Sequence, residues 1–231
     1  MRTLGLIGGV SWESTSIYYR LLNEGIQQRL GGNNAAECLI HSFNFQRIVS
    51  LQEQGNWAQI SNIVLQAARG LHQAGAQGLI LCSNSIHKGA PQVESALPIP
   101  LLNIIDVAGV HARQQGWLRL GLLGTRFTMA EGFYQQRLQQ VHGVEVVLPD
   151  EREQQILHRV IINELCRGQV HDASEAELLH LMDNLANRGV DAILLGCTEL
   201  AMLMREQGHH IPLLDATRLH VNFAIDWMLA D

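Results

Sequence analysis

Gly78-Leu79-Ile80-Leu81-Cys82 returns later in the chain as Ala192-Ile193-Leu194-Leu195-Gly196-Cys197. Two more segments repeat in the same order. Leu4-Gly5-Leu6-Ile7-Gly8 is echoed by Leu120-Gly121-Leu122-Leu123-Gly124, and Ile99-Pro100-Leu101-Leu102-Asn103 by Ile211-Pro212-Leu213-Leu214-Asp215. The pairs 8/124, 82/197 and 99/211 stand 116, 115 and 112 residues apart. Three matches in order at nearly one offset indicate a duplicated domain, and no low-complexity linker separates the halves. The pattern between them is one of short apolar, β-rich runs alternating with longer stretches of helical period, which is the signature of βα units and a parallel sheet.

The reading outward from these strands is direct. Strands are expected at Thr3–Gly8, Ala36–Ser42, Gly78–Leu81 and Leu101–Ile105. Helices are expected at Glu13–Leu30, where Tyr18, Leu22, Ile26 and Leu30 recur every four residues, at Asn56–His72, and from the fourth strand to about Gln115. A helix after Cys82-Ser83-Asn84-Ser85 is expected to be limited by Pro91.

Composition narrows the function. The chain has 231 residues, 47% of them hydrophobic and 16% charged, with 16 basic and 22 acidic residues and a net charge of −6. That balance builds a core, excludes wholesale disorder, and leaves no basic footprint for nucleic acid or an anionic membrane. Lys88 is the single lysine. No apolar run approaches a membrane span, and the N-terminal stretch lacks the features of a signal peptide, so a cytoplasmic location is expected. The four cysteines, Cys38, Cys82, Cys166 and Cys197, are then expected as reduced thiols rather than disulfides.

Two of them stand apart. Cys82 and Cys197 each end a strand at equivalent places in the two halves, where ligands of parallel α/β sheets collect. Facing each other across a cleft, two thiols would form an acid–base pair on opposite faces of a carbon, able to invert it. A helix N-terminus would favour the thiolate, and Ser83, Asn84, Ser85 and Thr198 would supply donors for a substrate carboxylate. Thr125 and Thr128 occupy the turn that corresponds to Gly8-Gly9. Cys38 and Cys166 read as structural, on a strand and a helix face. Zinc is not expected, because no Cys-x-x-Cys exists and His209-His210 lacks ligand spacing. Lys88 invites a Schiff-base reading, but a lysine early in a helix is more often a solvated or anion-facing charge. Gly8-Gly9-Val10-Ser11-Trp12 completes neither a dinucleotide nor a P-loop fingerprint.

Gly5-Leu6-Ile7-Gly8-Gly9-Val10-Ser11-Trp12-Glu13-Ser14-Thr15, Cys82-Ser83-Asn84-Ser85-Ile86-His87-Lys88, Leu122-Leu123-Gly124-Thr125 and Gly196-Cys197-Thr198-Glu199 together resemble the aspartate/glutamate racemase family. The resemblance runs end to end. It implies a cofactor-independent amino-acid racemase, an interdomain site, and a homodimer. It also implies two similar α/β domains, each a parallel sheet flanked by helices, related by a pseudo-two-fold axis. Residues 1–104 with 214–231 would form one domain and 105–213 the other. By the same resemblance Cys82 and Cys197 are the catalytic acid/bases, and Ser83, Asn84, Ser85, Thr125 and Thr198 hold the α-carboxylate. Gln52 and Glu199 lie near the α-amino group or side chain, and Val10 at the pocket wall; Lys88 is a further substrate-binding candidate. Glu164 falls in a site-lining segment. Relatives often carry Thr at the positions of Ser83 and Ser85, and Met at that of Val10.

Two alternatives remain open at this point. One is a broad-specificity racemase of neutral amino acids, since only Arg47, Lys88 and Arg126 stand near strand-end loops as partners for a side-chain carboxylate. The other is a non-catalytic two-lobed amino-acid-binding protein, which would have no need of paired thiols.

Overall fold

The computed structural model describes residues 1–200 and 210–230. Its contacts divide the chain into two compact units, Met1–Ile104 with Arg218–Asp231, and Ile105–Thr217.

The first unit is built on a parallel sheet of β1 (Leu4–Gly8), β2 (Cys38–Ser42) and β3 (Gly78–Leu81), in the order β2-β1-β3. Every residue of β1 and β3 is buried, as expected for strands covered by helices on both faces. Helix α1 (Trp12–Leu30) starts at Ser11, whose side chain caps the Ser14 N–H. Its Tyr18, Leu22 and Ile26 pack with Leu4, Leu6 and Ile80 on one sheet face. On the other face α2 (Phe45–Glu53), α3 (Trp57–Gln73) and α4 (Ala90–Ala96) supply Ile48, Leu51, Ile60, Val64 and Val93 against Ile7, Leu79 and Leu81.

The last helix, which we label α10 (Ala216–Leu229), places Val221, Ala224, Ile225 and Met228 in the α1-side core. Two glycines make that close packing possible. A Cβ on Gly25 would lie 2.3 Å from Ile225 Cδ1, and one on Gly78 would lie 2.5 Å from the Trp227 ring. His220 pins the same layer. Its Nε2 donates to the Leu102 carbonyl at 2.7 Å, and its Nδ1 accepts from the Tyr18 hydroxyl at 2.9 Å.

The second unit repeats the scheme. Its strands β4 (Arg119–Leu123), β5 (Glu145–Val147), β6 (Ala192–Leu195) and β7 (Leu213–Asp215) lie parallel in the order β5-β4-β6-β7. Flanking helices are α5 (Ile104–Gln114), α6 (Arg126–Met129), α7 (Phe133–His142), α8 (Glu151–Asn163) and α9 (Asp172–Asn187). Asp150 and Glu153 form a capping box at the start of α8. Two parallel sheets flanked by helices, with matching strand order, are what the duplicated segments predict.

Three local expectations are corrected. The expected strand Leu101–Ile105 shrinks to a single bridge, Leu101 to Leu79, because α5 has already begun at Ile104. Its counterpart β7 is a full short strand. Pro91 does not end a helix; it stands in the first turn of α4, where its missing N–H costs nothing. A helix missing from the sequence reading, α2, fills residues 45–53. No helix among the described residues is long and apolar enough to cross a membrane.

Candidate active site

In each unit the chain runs from the central strand outward to one neighbour and then returns to pair on the other side. In the first unit the helix after β1 (α1) and the helix after β3 (α4) pack on opposite faces of the sheet, and the carboxyl ends of such strands are the usual ligand position of parallel sheets. Cys82 follows β3 directly, and Cys197 follows β6 after Gly196.

In the first unit the Cys82 N–H donates to the Ile7 carbonyl at 2.8 Å, which extends the β1–β3 ladder to the thiol itself. Gln52, on α2 and 5% exposed, donates from Nε2 to Ser85 Oγ at 3.1 Å, and Ser85 Oγ lies 3.4 Å from Ser83 Oγ. Two expected carboxylate-side groups, Ser83 and Ser85, and Gln52, expected near the α-amino group or side chain, thus form one connected set. Asn84 and Val10 are buried beside the same strand ends. On the facing loop Gly9, at φ +80°, approaches Phe43 so closely that a Cβ would lie 2.3 Å from its backbone N and O. The Gly9 N–H is held by Thr15 Oγ1 at 2.8 Å. Lys88 lies on the 3-10 helix Ser85–Gly89, its Nζ 4.5 Å above the Trp57 ring, a cation–π contact that engages the chain's single lysine.

In the second unit Gly124 and Gly196 let the two strand ends meet. The Gly196 N–H donates to the Leu123 carbonyl at 2.7 Å, and a Cβ on Gly124 would lie 3.0 Å from the Gly196 carbonyl. Thr125 precedes α6, and its Oγ1 is 3.3 Å from Thr128 Oγ1. Thr198 and Glu199 follow the thiol on a turn, both buried. Glu199 is engaged by the side chains around it. Its carboxylate accepts from Cys197 Sγ at 2.9 Å, from Thr198 Oγ1 at 2.5 Å and from Cys166 Sγ at 3.6 Å.

Cys166 is correspondingly not a thiol on a regular helix face. It sits on a 3-10 turn, Leu165–Arg167, that brings its sulfur to Glu199. Glu164 accepts from Ser174 Oγ at 2.5 Å. Arg126 lies over the Phe127 ring at 4.7 Å, and Arg47 is exposed on α2.

The expected lowering of the thiol pKa by helix N-termini is also corrected. Burial pushes the Cys82 thiol well up. Burial does the same to Cys197, followed by the negative field of Glu199; the Glu199 backbone N–H at the sulfur pulls only partly back. The cause is structural. Cys82 is packed among Leu4, Leu6, Tyr18 and Leu102, and the helix after it is a short 3-10 segment that begins only at Ser85, too brief to carry a full macrodipole.

His87 is a residue of the site that sequence reasoning named only as part of a motif. Buried behind Ser83, it ties the Cys82 loop to the start of α5. Among the described residues no group of three or more His, Cys, Asp or Glu side chains is arranged to hold a metal ion. His210 is described, 3.8 Å from Asp183, whereas His209 lies outside the described residues.

Known proteins are similar to this chain in sequence and fold. A match to the family described as Asp/Glu/Hydantoin racemase spans residues 7–224. A Yersinia pestis protein assigned to the Asp/Glu racemases has a crystal structure that superposes over the whole of both chains, at 40% identity and a TM-score of 0.92. The crystal structure of an aspartate racemase homologue from Pyrococcus horikoshii OT3 also covers both chains completely, at 28% identity and a TM-score of 0.86. A glutamate racemase of Limosilactobacillus reuteri is 22% identical over 198 residues, covering 80% of this chain and 72% of its own. The match spanning nearly the whole sequence, joined to two thiols at equivalent strand ends, makes this chain a member of the Asp/Glu/Hydantoin racemase family.

Proposed function

We propose that the protein racemises an amino acid, aspartate or glutamate first, without pyridoxal phosphate, using Cys82 and Cys197 as the two acid–base groups. The observation that carries this reading is the equivalence of the two thiols within a family of racemases. Each stands within two residues of the end of the later partner of its central strand, beside a loop of hydroxyl and amide donors.

An α-hydrogen is a very weak acid, so the site must stabilise negative charge as it develops. Preorganised donors on the substrate carboxylate do this in a dry site. Ser83, Asn84 and Ser85 supply them in the first unit, and Thr125 and Thr198 in the second, with Gln52 near the α-amino group or side chain. One thiolate removes the proton from one face of the α-carbon while the opposite thiol delivers a proton to the other. Two thiolates at one carbon would repel, so the resting enzyme holds one ionised and one neutral sulfur. The protein acts as a cytoplasmic homodimer in this reading, with Trp12 and Tyr19 of α1, 65% and 48% exposed, as contact candidates.

A second reading, racemisation of neutral amino acids, is supported by the basic residues. Lys88 is stacked on Trp57, Arg126 on Phe127, and a buried carboxylate, Glu199, stands beside Cys197. The deciding experiment is incubation with L-aspartate in D2O, without added metal or pyridoxal phosphate, followed by NMR of the α-proton. Loss of that signal with D-aspartate appearing supports the acidic reading. Exchange with neutral amino acids alone selects the second. No exchange with any amino acid sinks both and favours a binding protein. Cys82→Ser and Cys197→Ser should each abolish racemisation; normal turnover in both variants would overturn the two-thiol mechanism.

A further inference from the structure

Cys166 has no part in the two-thiol chemistry, yet its sulfur stands in the same corner of the second unit as that of Cys197. Both are drawn to one carboxylate. Glu199 accepts from Cys197 Sγ at 2.9 Å on Oε2 and from Cys166 Sγ at 3.6 Å on Oε1. Sulfurs held on the two oxygens of one carboxylate are near neighbours, and Cys166 is correspondingly among the groups whose field raises the Cys197 thiol. Both cysteines are half-buried and reduced.

Local structure puts them there. Cys166 is the middle residue of the 3-10 turn Leu165–Arg167, which Gly168 ends at φ +70°. Glu164 anchors that turn. Its carboxylate accepts from Ser174 Oγ at 2.5 Å, and its carbonyl accepts the N–H groups of Arg167 and Gln169 at 2.9 and 3.0 Å. On the other side the Leu200 N–H donates to the Cys197 carbonyl at 3.2 Å, which winds residues 197–200 into a turn and carries the Glu199 side chain back to the Cys197 sulfur. Two thiols 31 residues apart in the chain, 166 and 197, thus converge.

We propose that Cys166 and Cys197 are a modification site, closing into a reversible disulfide when the protein meets hydrogen peroxide. One sulfur, as thiolate, attacks the peroxide O–O bond and is oxidised to a sulfenic acid, S–OH; the other peroxide oxygen leaves as water with the proton that the thiol gave up. The second sulfur then attacks the first. An S–S bond forms, the S–OH bond breaks, and the departing hydroxide leaves as water with the second thiol's proton. Two thiols and one peroxide become one disulfide and two waters, and the sulfurs lose the two electrons that the peroxide gains. A disulfide sulfur has no proton to donate, so Glu199 releases both sulfurs as they close to about 2.05 Å. In the bridge Cys197 can neither take nor give a proton. That loss of turnover rests on the two-thiol reading above; the bridge itself does not. Reducing thiols reopen such a bond, which makes the modification a switch and not a structural link.

The test is peptide mapping of the full chain after exposure to excess hydrogen peroxide. Trypsin cuts after Arg159, Arg167, Arg188 and Arg205, which places Cys166 on residues 160–167 and Cys197 on residues 189–205. The oxidised protein, its remaining thiols blocked with iodoacetamide, should yield these two peptides joined through sulfur with the loss of two hydrogens, and dithiothreitol should separate them. Racemisation should fall at least about tenfold in step with the bridge and return on reduction. Cys166→Ser, which keeps a hydroxyl beside Glu199, should give no joined peptide and no loss that dithiothreitol reverses.

Absence of the joined peptide from oxidised wild type overturns the proposal, as does a bridge from Cys197 to Cys82 or Cys38 in its place. So does a reversible loss in Cys166→Ser equal to that of wild type. A wild type inert towards every amino acid that still yields the joined peptide overturns the racemase reading and supports the disulfide.

Discussion

His87 joins Ser83 to Ile104: its Nδ1–H donates to the Ser83 carbonyl at 2.8 Å, and its Nε2 accepts the Ile104 backbone N–H at 3.3 Å. A carbonyl only accepts and an N–H only donates, so the two bonds fix one tautomer of a neutral ring. The loop that carries Cys82 is thereby fastened to the first residue of α5.

His87→Ala removes both bonds and leaves a half-buried carbonyl and a buried N–H without their histidine partner. We expect a loss of about 1–3 kcal/mol in denaturant unfolding, together with a fall in kcat as the Cys82 loop loosens. A variant as stable and as active as wild type would show that the bridge does not hold the loop.

Gln52 tests the donor set. Its Nε2–H holds Ser85 Oγ, which neighbours Ser83 Oγ. Gln52→Ala should raise KM for the amino-acid substrate by about tenfold while changing kcat less, the pattern of lost uniform binding. If KM stays constant while the unfolding midpoint drops, Gln52 is part of the core and not of the binding site.

The sequence shows the sheet but not α2, and the reason is physical. Strands buried on both faces give continuous apolar runs such as Gly78–Leu81, and the duplication shows each run twice. Helix α2 has nine residues and buries only Ile48, Leu51 and Gln52, too few turns for a helical period to stand out. Gln52 was reachable only through the family resemblance. The Glu199 contacts escaped for another reason: a carboxylate two residues after a cysteine says nothing of its direction until the turn is known. Cys166 needed the 3-10 turn for the same reason. Thiol pKa was misjudged because strand-end position was visible in the sequence, whereas the packing around Cys82 and the shortness of the helix after it were not.

Gly9 is required twice over. Its φ of +80° lies in the left-handed region, and a Cβ there would meet the Phe43 backbone at 2.3 Å. Gly9→Ala should therefore destabilise by about 1–3 kcal/mol from backbone strain and should displace the β1 loop that faces Cys82. Thermal unfolding and kcat/KM check both effects. An unchanged melting temperature would show that the loop relaxes freely and that the close approach is incidental.

His220 makes the first unit sensitive to acid. Burial pushes its pKa down to about 4 from 6.5, with the bond to the Leu102 carbonyl pulling partly back. Between those values the unfolded chain binds a proton that the folded chain refuses. Stability from this group is therefore complete above about pH 6.5 and is lost progressively as pH falls towards 4, by roughly 3 kcal/mol in all. His158 in the second unit, also lowered to about 4 by burial and then by Arg126, adds a loss of the same sign. Urea unfolding at intervals from pH 4 to 8 should show this decline. His220→Gln should start less stable at pH 7.5, because the bonds to Tyr18 and Leu102 are weakened or lost, but should decline with a shallower slope between pH 6.5 and 4. A variant whose slope matches wild type would show that carboxylates elsewhere, and not His220, set the acid limit of the fold.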